Sequence, residues 1–396
     1  MESQNTPRSV RLHIGLFGRR NAGKSSLINA LAGQNVSLVS DVAGTTTDPV
    51  LKAMELHGFG PVTLIDTAGL DDEGKLGKLR TERTRSIVKQ TDLALLVLTG
   101  TPTIERAWAE EFKSRSIPAL AVINKADLLS DAESIRQSAE QELGIPAMTV
   151  SARTGDGVDA LRKAMADLAP DDFWAQSITG DLVGKSDLVL LVMPQDSEAP
   201  KGRLILPQVQ TIRELLDKKC AVMCCSVDAL DAALAHLAHP PKLIITDSQA
   251  FGQVYPKVPE GSLLTSFSIL FAGYKGDVAA FLRGAAALDH LSGSSRVLIA
   301  EACTHAPIEE DIGRVKIPNL LRKKYGETLQ IDFVRGSDFP DDLRGYDLII
   351  HCGACMFSRR YVLSRIEQAQ AQHVPICNYG VVLAALNGIL DKVCHA

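Results

Sequence analysis

No stretch of this chain approaches the roughly 18 consecutive apolar residues that a bilayer-spanning helix requires. The opening MESQNTPRSVRLH is polar, and GRRNAGK breaks the apolar segment after it, so the apolar core of a secretory signal is missing. These absences predict a soluble, cytoplasmic protein with no membrane partner. A basic excess is also lacking. The net charge is -5, which argues against a general binder of nucleic acid or anionic lipid. Low-complexity tracts and internal repeats are absent. In a reducing cytosol the eight cysteines are not expected to form structural disulfides, so clustered ones read as ligands or catalysts.

What is present is enough apolar residue, 45% of 396, to fill two or three cores. Short β-branched runs alternate with stretches at helical spacing, the pattern of parallel strands joined by helices, with ligand loops at strand C-termini. RLHIGLFG, VTLIDTAG, LALLVLTG, ALAVINKAD and AMTVSA are the strands of a first unit that ends near residue 170. The segment 171–181, DDFWAQSITGD, reads as a linker. A second series over 182–261 contains SDLVLLVMPQD, CAVMCCSV and KLIITDSQ; a third over 262–396 contains SLLTSF, RVLIAEACTH, LQIDFVRG and YDLIIHCGAC. The expected fold class is α/β: an N-terminal P-loop domain, a parallel sheet with helices on both faces, followed by two smaller α/β domains.

GRRNAGKS (18–25) follows a strand and precedes a helix, the context a phosphate-binding loop requires. Gly18 and Gly23 let backbone N–H groups turn inward, and the following helix adds its positive end. Asn21, Ala22 and Ser26 complete the loop; Lys24 is expected on the β/γ-phosphates and the Ser25 hydroxyl on Mg2+. DTAG (66–69) places Asp66 near Mg2+ and the Gly69 N–H near the γ-phosphate. NKAD supplies Asn124, Lys125 and Asp127, and SAR supplies Ser151 and Ala152. A carboxylate at Asp127 accepts from the guanine N1–H and 2-amino group, a pairing adenine does not offer. Four ordered elements at strand ends predict a guanine-nucleotide-binding domain that hydrolyses GTP.

EACTHAP (301–307) and HCGAC (351–355) each follow a strand. If those strands share a sheet, Cys303, His305, His351, Cys352 and Cys355 gather at one edge. A zinc site, a dithiol redox pair, an iron–sulfur cluster on three thiolates, and packed core thiols all remain open at this point. Cys220, Cys224 and Cys225 lie along an apolar strand and read as packed.

The order and spelling of the N-terminal motifs resemble the Era/TrmE group of GTPases. That resemblance implies K+ placed by Asn21 and a first switch in which Thr46 senses Mg2+, with Lys24, Thr46 and Gly69 as the catalytic set. With Cys303-Thr-His305 and His351-Cys352-Gly-Ala-Cys355 added, the whole chain resembles the [FeFe]-hydrogenase maturation GTPase family, HydF. By that likeness 1–170 is the GTP-binding domain, 182–261 a dimerisation domain and 262–396 the cluster domain. The family pattern implies a [4Fe-4S] cluster on Cys303, Cys352 and Cys355, with His305 and His351 as additional or exchangeable ligands. It further implies a transient di-iron subcluster as cargo, HydE and HydG radical-SAM maturases and the apo-hydrogenase HydA as partners, and a homodimer. The alternative reading is a regulatory or RNA-modification GTPase with a structural zinc.

Overall fold

The computed structural model describes residues 7–33, 50–56, 60–67, 69, 84–170, 176–194, 204–302, 311–336, 338–354 and 357–396. The chain divides into two compact units, Met1–Ala175 and Gln176–Ala396.

In the first unit six strands, β1 (Leu12–Gly18), β2 (Val50–Leu56), β3 (Gly60–Asp66), β4 (Leu93–Leu98), β5 (Ala119–Ile123) and β6 (Ala147–Thr149), form one sheet. Their order is β2-β3-β1-β4-β5-β6. β1, β4 and β5 are buried at every position because helices cover both faces, which is why they read as unbroken apolar runs. Leu12, Ile14 and Leu16 pack with Leu27 and Leu161 on one face, while Phe17 packs with Ala109 and Phe112 on the other. β2 is the departure from the expected parallel sheet. It runs antiparallel to β3 at the sheet edge. Its sequence VLKAMEL mixes Lys52 and Glu55 into the run, as a half-solvated edge strand can, and so hides its strand character.

The second unit holds two four-stranded parallel sheets. β7 (Leu188–Val192), β8 (Ala221–Cys225), β9 (Leu243–Thr246) and β10 (Leu263–Ser266) lie in the order β10-β9-β7-β8. β11 (Arg296–Glu301), β12 (Gln330–Arg335), β13 (Leu348–His351) and β14 (Ile376–Asn378) lie in the order β12-β11-β13-β14. One apolar cluster joins Leu190 and Ile244 of the first sheet to Leu298 and Ile350 of the second.

Three features here revise or add to the expectations. SLLTSF, assigned to the third series, is β10, which pairs with β9 from Leu263↔Leu243 to Ser266↔Thr246, so the sheet of 182–261 continues to Ser266. The chain end also returns to this edge: the Cys394 N–H donates to the Leu264 carbonyl (2.8 Å), and the Thr265 hydroxyl donates to the Cys394 carbonyl (2.6 Å). Third, the linker stretch is structured from Ser177 onward. Ile178 and Thr179 are buried, and the Glu214 carboxylate accepts from both of their N–H groups and from the hydroxyls of Ser177 and Thr179.

Burial pushes the Glu214 carboxyl up, but these donors outweigh it and hold the group below its ordinary range. A depressed folded value stabilises the fold fully above about pH 4.3 and loses that contribution as pH falls through the folded value. Glu214→Gln should therefore cost about 1–3 kcal/mol at neutral pH and flatten the acid limb of stability. Urea unfolding between neutral and acid pH measures both; an unchanged acid limb would contradict this assignment.

Candidate functional site

The nucleotide loop lies at the C-terminal end of β1, where the chain turns into the helix Lys24–Ala32. Gly23 stands just before that helix at φ 89°, and a Cβ there would lie 2.3 Å from the Asn124 amide nitrogen, so only glycine fits. The first turn of the helix has N–H groups with no carbonyl of their own helix to bind, and they are available to phosphate oxygens. Lys24 is buried, its ammonium donating to the carbonyls of Gly18 and Arg19, each at 2.9 Å. Ser25 donates to Asp66 (2.5 Å), at the end of β3. Burial pushes the Asp66 carboxyl up, with the Ser25 hydroxyl and the Lys24 charge pulling it back. A divalent cation at this pair would offset that burial, so Ser25 and Asp66 suit Mg2+.

The base side is assembled from the loops after β5 and β6. Asn124 is buried; its amide donates to the Ala22 carbonyl (3.0 Å) and its carbonyl accepts from the Ala152 N–H (3.1 Å). Lys125, in the left-handed region at φ 59°, donates to the Asn21 carbonyl (2.7 Å). Asp127 accepts from the Ser151 hydroxyl (2.6 Å) and from the Arg153 Nε (2.9 Å). Those bonds, from Ser151 first, hold its carboxyl below the usual range. Gly23, Ser26, Asn124, Lys125, Asp127 and Ala152 all line one cavity of about 650 Å3, within the size range of small-molecule sites. Arg153 is an addition to the expected set, as nothing in SAR announces an ion pair with Asp127. Gly69 is described; Thr46 lies outside the described residues.

In the second unit β11 and β13 are adjacent and parallel, paired from Val297↔Leu348 to Ala300↔His351. The loops after them therefore leave from one edge. Cys352 Sγ accepts from the Ala302 N–H at 3.0 Å, directly before Cys303 in sequence. Cys303, His305 and Cys355 lie outside the described residues, and among the described residues no group of three metal-ligating side chains occurs.

His351 departs from expectation. Its side chain is buried, Nδ1 lies 2.7 Å from the Cys352 carbonyl and Nε2 lies 2.9 Å from Arg365 Nη1. A carbonyl only accepts and a guanidinium only donates, which assigns the proton to Nδ1 and the lone pair of Nε2 to Arg365. Neither nitrogen is offered to a metal in this arrangement. Burial, then the Arg365 charge, hold the imidazole neutral, its pKa pushed down to about 3. The Tyr379 hydroxyl is buried with no hydrogen-bond partner among the described residues, and it occupies the space a Gly313 side chain would fill (Oη 2.1 Å from that Cβ). Burial, then Cys352, Glu301 and Asp311, raise that phenol well above its usual value. Neither Arg365 nor Tyr379 was among the expected site residues, since neither belongs to the Cys/His clusters that mark this edge. Of the thiols expected to pack along β8, Cys220 is buried but Cys224 is exposed, because β8 is an edge strand.

A phosphate-type loop, a Mg2+-suited Ser–Asp pair and the Asp127 carboxylate at the ends of parallel strands, together with a match to a GTPase family model, make the first unit a P-loop GTPase domain. A family model described as 50S ribosome-binding GTPase matches residues 13–125. The hydrogen maturase F dimerization domain model matches 178–276, and the hydrogen maturase F tetramerization domain model matches 279–396. Together these two span more than half of the chain. The chain belongs to the hydrogen maturase F (HydF) family.

Curated relatives include the tRNA modification GTPase MnmE of Chromobacterium violaceum, 41% identical over 160 residues, covering 40% of this chain and 34% of the relative. The MnmE of Pectobacterium carotovorum is 39% identical over 159 residues, covering 38% of this chain and 34% of the relative. The chain thus spans about a third of the length of these relatives. Among solved structures, Era of Aquifex aeolicus aligns at 19% identity and TM-score 0.35, over 54% of this chain and 92% of that one. Among the described residues no helix is long and apolar enough to cross a membrane.

Asp127→Asn replaces an acceptor-only group by one donor and one acceptor, which suits the 2-oxo group of xanthine. Guanine nucleotide affinity should fall by about 10⁴-fold while xanthine nucleotide binding appears. Titration with fluorescent GTP and XTP analogues reads both, and retained GTP preference would contradict the role of Asp127.

Proposed function

We propose that this GTPase is an iron–sulfur scaffold and carrier in hydrogenase maturation. It holds a [4Fe-4S] cluster through Cys303, Cys352 and Cys355, receives a di-iron subcluster and passes it to an apo-[FeFe]-hydrogenase. The observation that carries the reading is the Ala302 N–H on Cys352 Sγ, at the shared edge of β11 and β13. N–H donors to thiolate sulfur are among the interactions that tune such clusters.

The residues present fit such a group. The edge combines a thiol held by a backbone N–H, a hydroxyl at Tyr379 that is buried without a partner among the described residues, and a buried cation at Arg365. Three protein thiolates leave one iron corner to an exchangeable ligand, which a carrier needs and a closed four-cysteine site lacks. His305 is the remaining protein candidate for that corner, since His351 is turned inward. The cluster, when bound, supplies the attachment point for cargo; the chain supplies the ligands and the N–H donor.

In this reading Ser25 and Thr46 hold Mg2+, Asn21 places K+, and the γ-phosphate sets a two-state element. Nucleotide state governs association with, or release from, the partners: the HydE and HydG maturases and the HydA hydrogenase. The dimerization and tetramerization descriptions of the matching family models support a homo-oligomer.

The test is activation of apo-hydrogenase by the cargo-loaded full chain. Cys352→Ser should lower activation by at least about a hundredfold. Lys24→Ala should keep its iron yet lose the difference between GTP and GDP. Wild-type activation by Cys352→Ser would contradict the carrier role, and wild-type nucleotide dependence in Lys24→Ala would contradict the coupling.

A further inference from the structure

Arg365 is 2% exposed, and no carboxylate lies within ion-pair distance of it among the described residues. Its guanidinium donates to His351 Nε2 (2.9 Å), to the Gly336 carbonyl and to the Tyr361 hydroxyl (3.1 Å). The rings of Phe339 and Tyr361 each lie 4.7 Å from its central carbon, and its Nε is buried with no partner among the described residues. Carbonyls and ring faces solvate a cation in part. A buried charge nonetheless costs several kcal/mol unless a counter-charge is near. The Glu301 carboxylate, at the end of β11, is committed to Arg314 (2.9 Å) and Arg335 (3.1 Å). Arg365 connects to Cys352 through one imidazole: Nη1 to His351 Nε2, and His351 Nδ1–H to the Cys352 carbonyl (2.7 Å).

We propose that Arg365 is the buried counter-charge of the metal cluster carried at Cys352, positioned by the His351 bridge between them. The inference rests on the carrier reading above. A cubane cluster on three thiolates is an anion, and gaining one electron makes it more so. A fixed cation nearby therefore favours the reduced state and raises the reduction potential. His351 fixes the Cys352 carbonyl, while the sulfur accepts from the Ala302 N–H. Arg365 is accordingly a positioning and tuning residue that reaches Cys352 through His351.

The experiment uses the full chain reconstituted anaerobically with iron and sulfide. Midpoint potentials come from redox titration followed by the EPR signal of the reduced cluster. Circular dichroism of the apo chains controls for folding. Arg365→Lys keeps the charge and should titrate as wild type. Arg365→Met and Arg365→Gln, the second retaining a donor for His351, should both titrate at lower potential. Folded neutral variants that take up no iron, beside a Lys variant that does, support the same role. Neutral variants that titrate at the wild-type potential overturn it, however much thermal stability they lose. A folded Lys variant that takes up no iron overturns it equally. If only one neutral variant folds, that one decides. Wild-type chain that takes up no iron would remove the carrier reading itself, whereas wild-type loading with unmoved potentials removes this inference alone.

Discussion

A pair of parallel strands sends both of its outgoing loops to the same sheet edge, and both units of this chain depend on that constraint. In the first, β1, β3, β5 and β6 end at one edge of the sheet, and their ends and the loops after them supply Lys24, Asp66, Asn124 and Ser151. In the second, β11 and β13 do the same, and Ala302 meets Cys352 although about fifty residues separate them. Had β13 run antiparallel, Ala302 and Cys352 would lie at opposite ends of the sheet.

The two edges share an electrostatic plan. At the nucleotide loop the helix N–H groups and the buried ammonium of Lys24 offer positive charge to an anion. At the cysteine edge the proposed cluster, also an anion, is met by a backbone N–H and the buried guanidinium of Arg365. In each case the cation is held by protein carbonyls: Gly18 and Arg19 for the lysine, Gly336 for the arginine. A phosphate exchanges with solvent and an iron–sulfur cluster does not readily do so. This difference fits a switch in one unit and a dock in the other.

Much of this was legible in the sequence because parallel strands buried on both faces leave continuous apolar runs. Each such run in the first unit is a strand, and GRRNAGKS, NKAD and SAR each follow at the end of one. β2 was missed because an edge strand tolerates Lys52 and Glu55, and β14 because three residues, Ile376–Asn378, carry too little pattern. SLLTSF was read as a strand but given to the wrong series, since sequence order does not reveal which sheet a short strand joins. The inward turn of His351 was illegible for a different reason. Its partner Arg365 sits in RRYVLSRIEQ, where an arginine reads as a solvated charge, and only packing against Phe339 and Tyr361 reveals it as buried.

The central claim is that three thiolates at one sheet edge hold a four-iron cluster with one corner left for exchange. Mössbauer spectroscopy of the full chain reconstituted with ⁵⁷Fe tests it most directly. The account predicts cubane iron in two environments, about 3:1 in intensity, with the minor site shifting when an external ligand is added. Four equivalent all-thiolate irons, or a chain that takes up zinc and no iron, would contradict it.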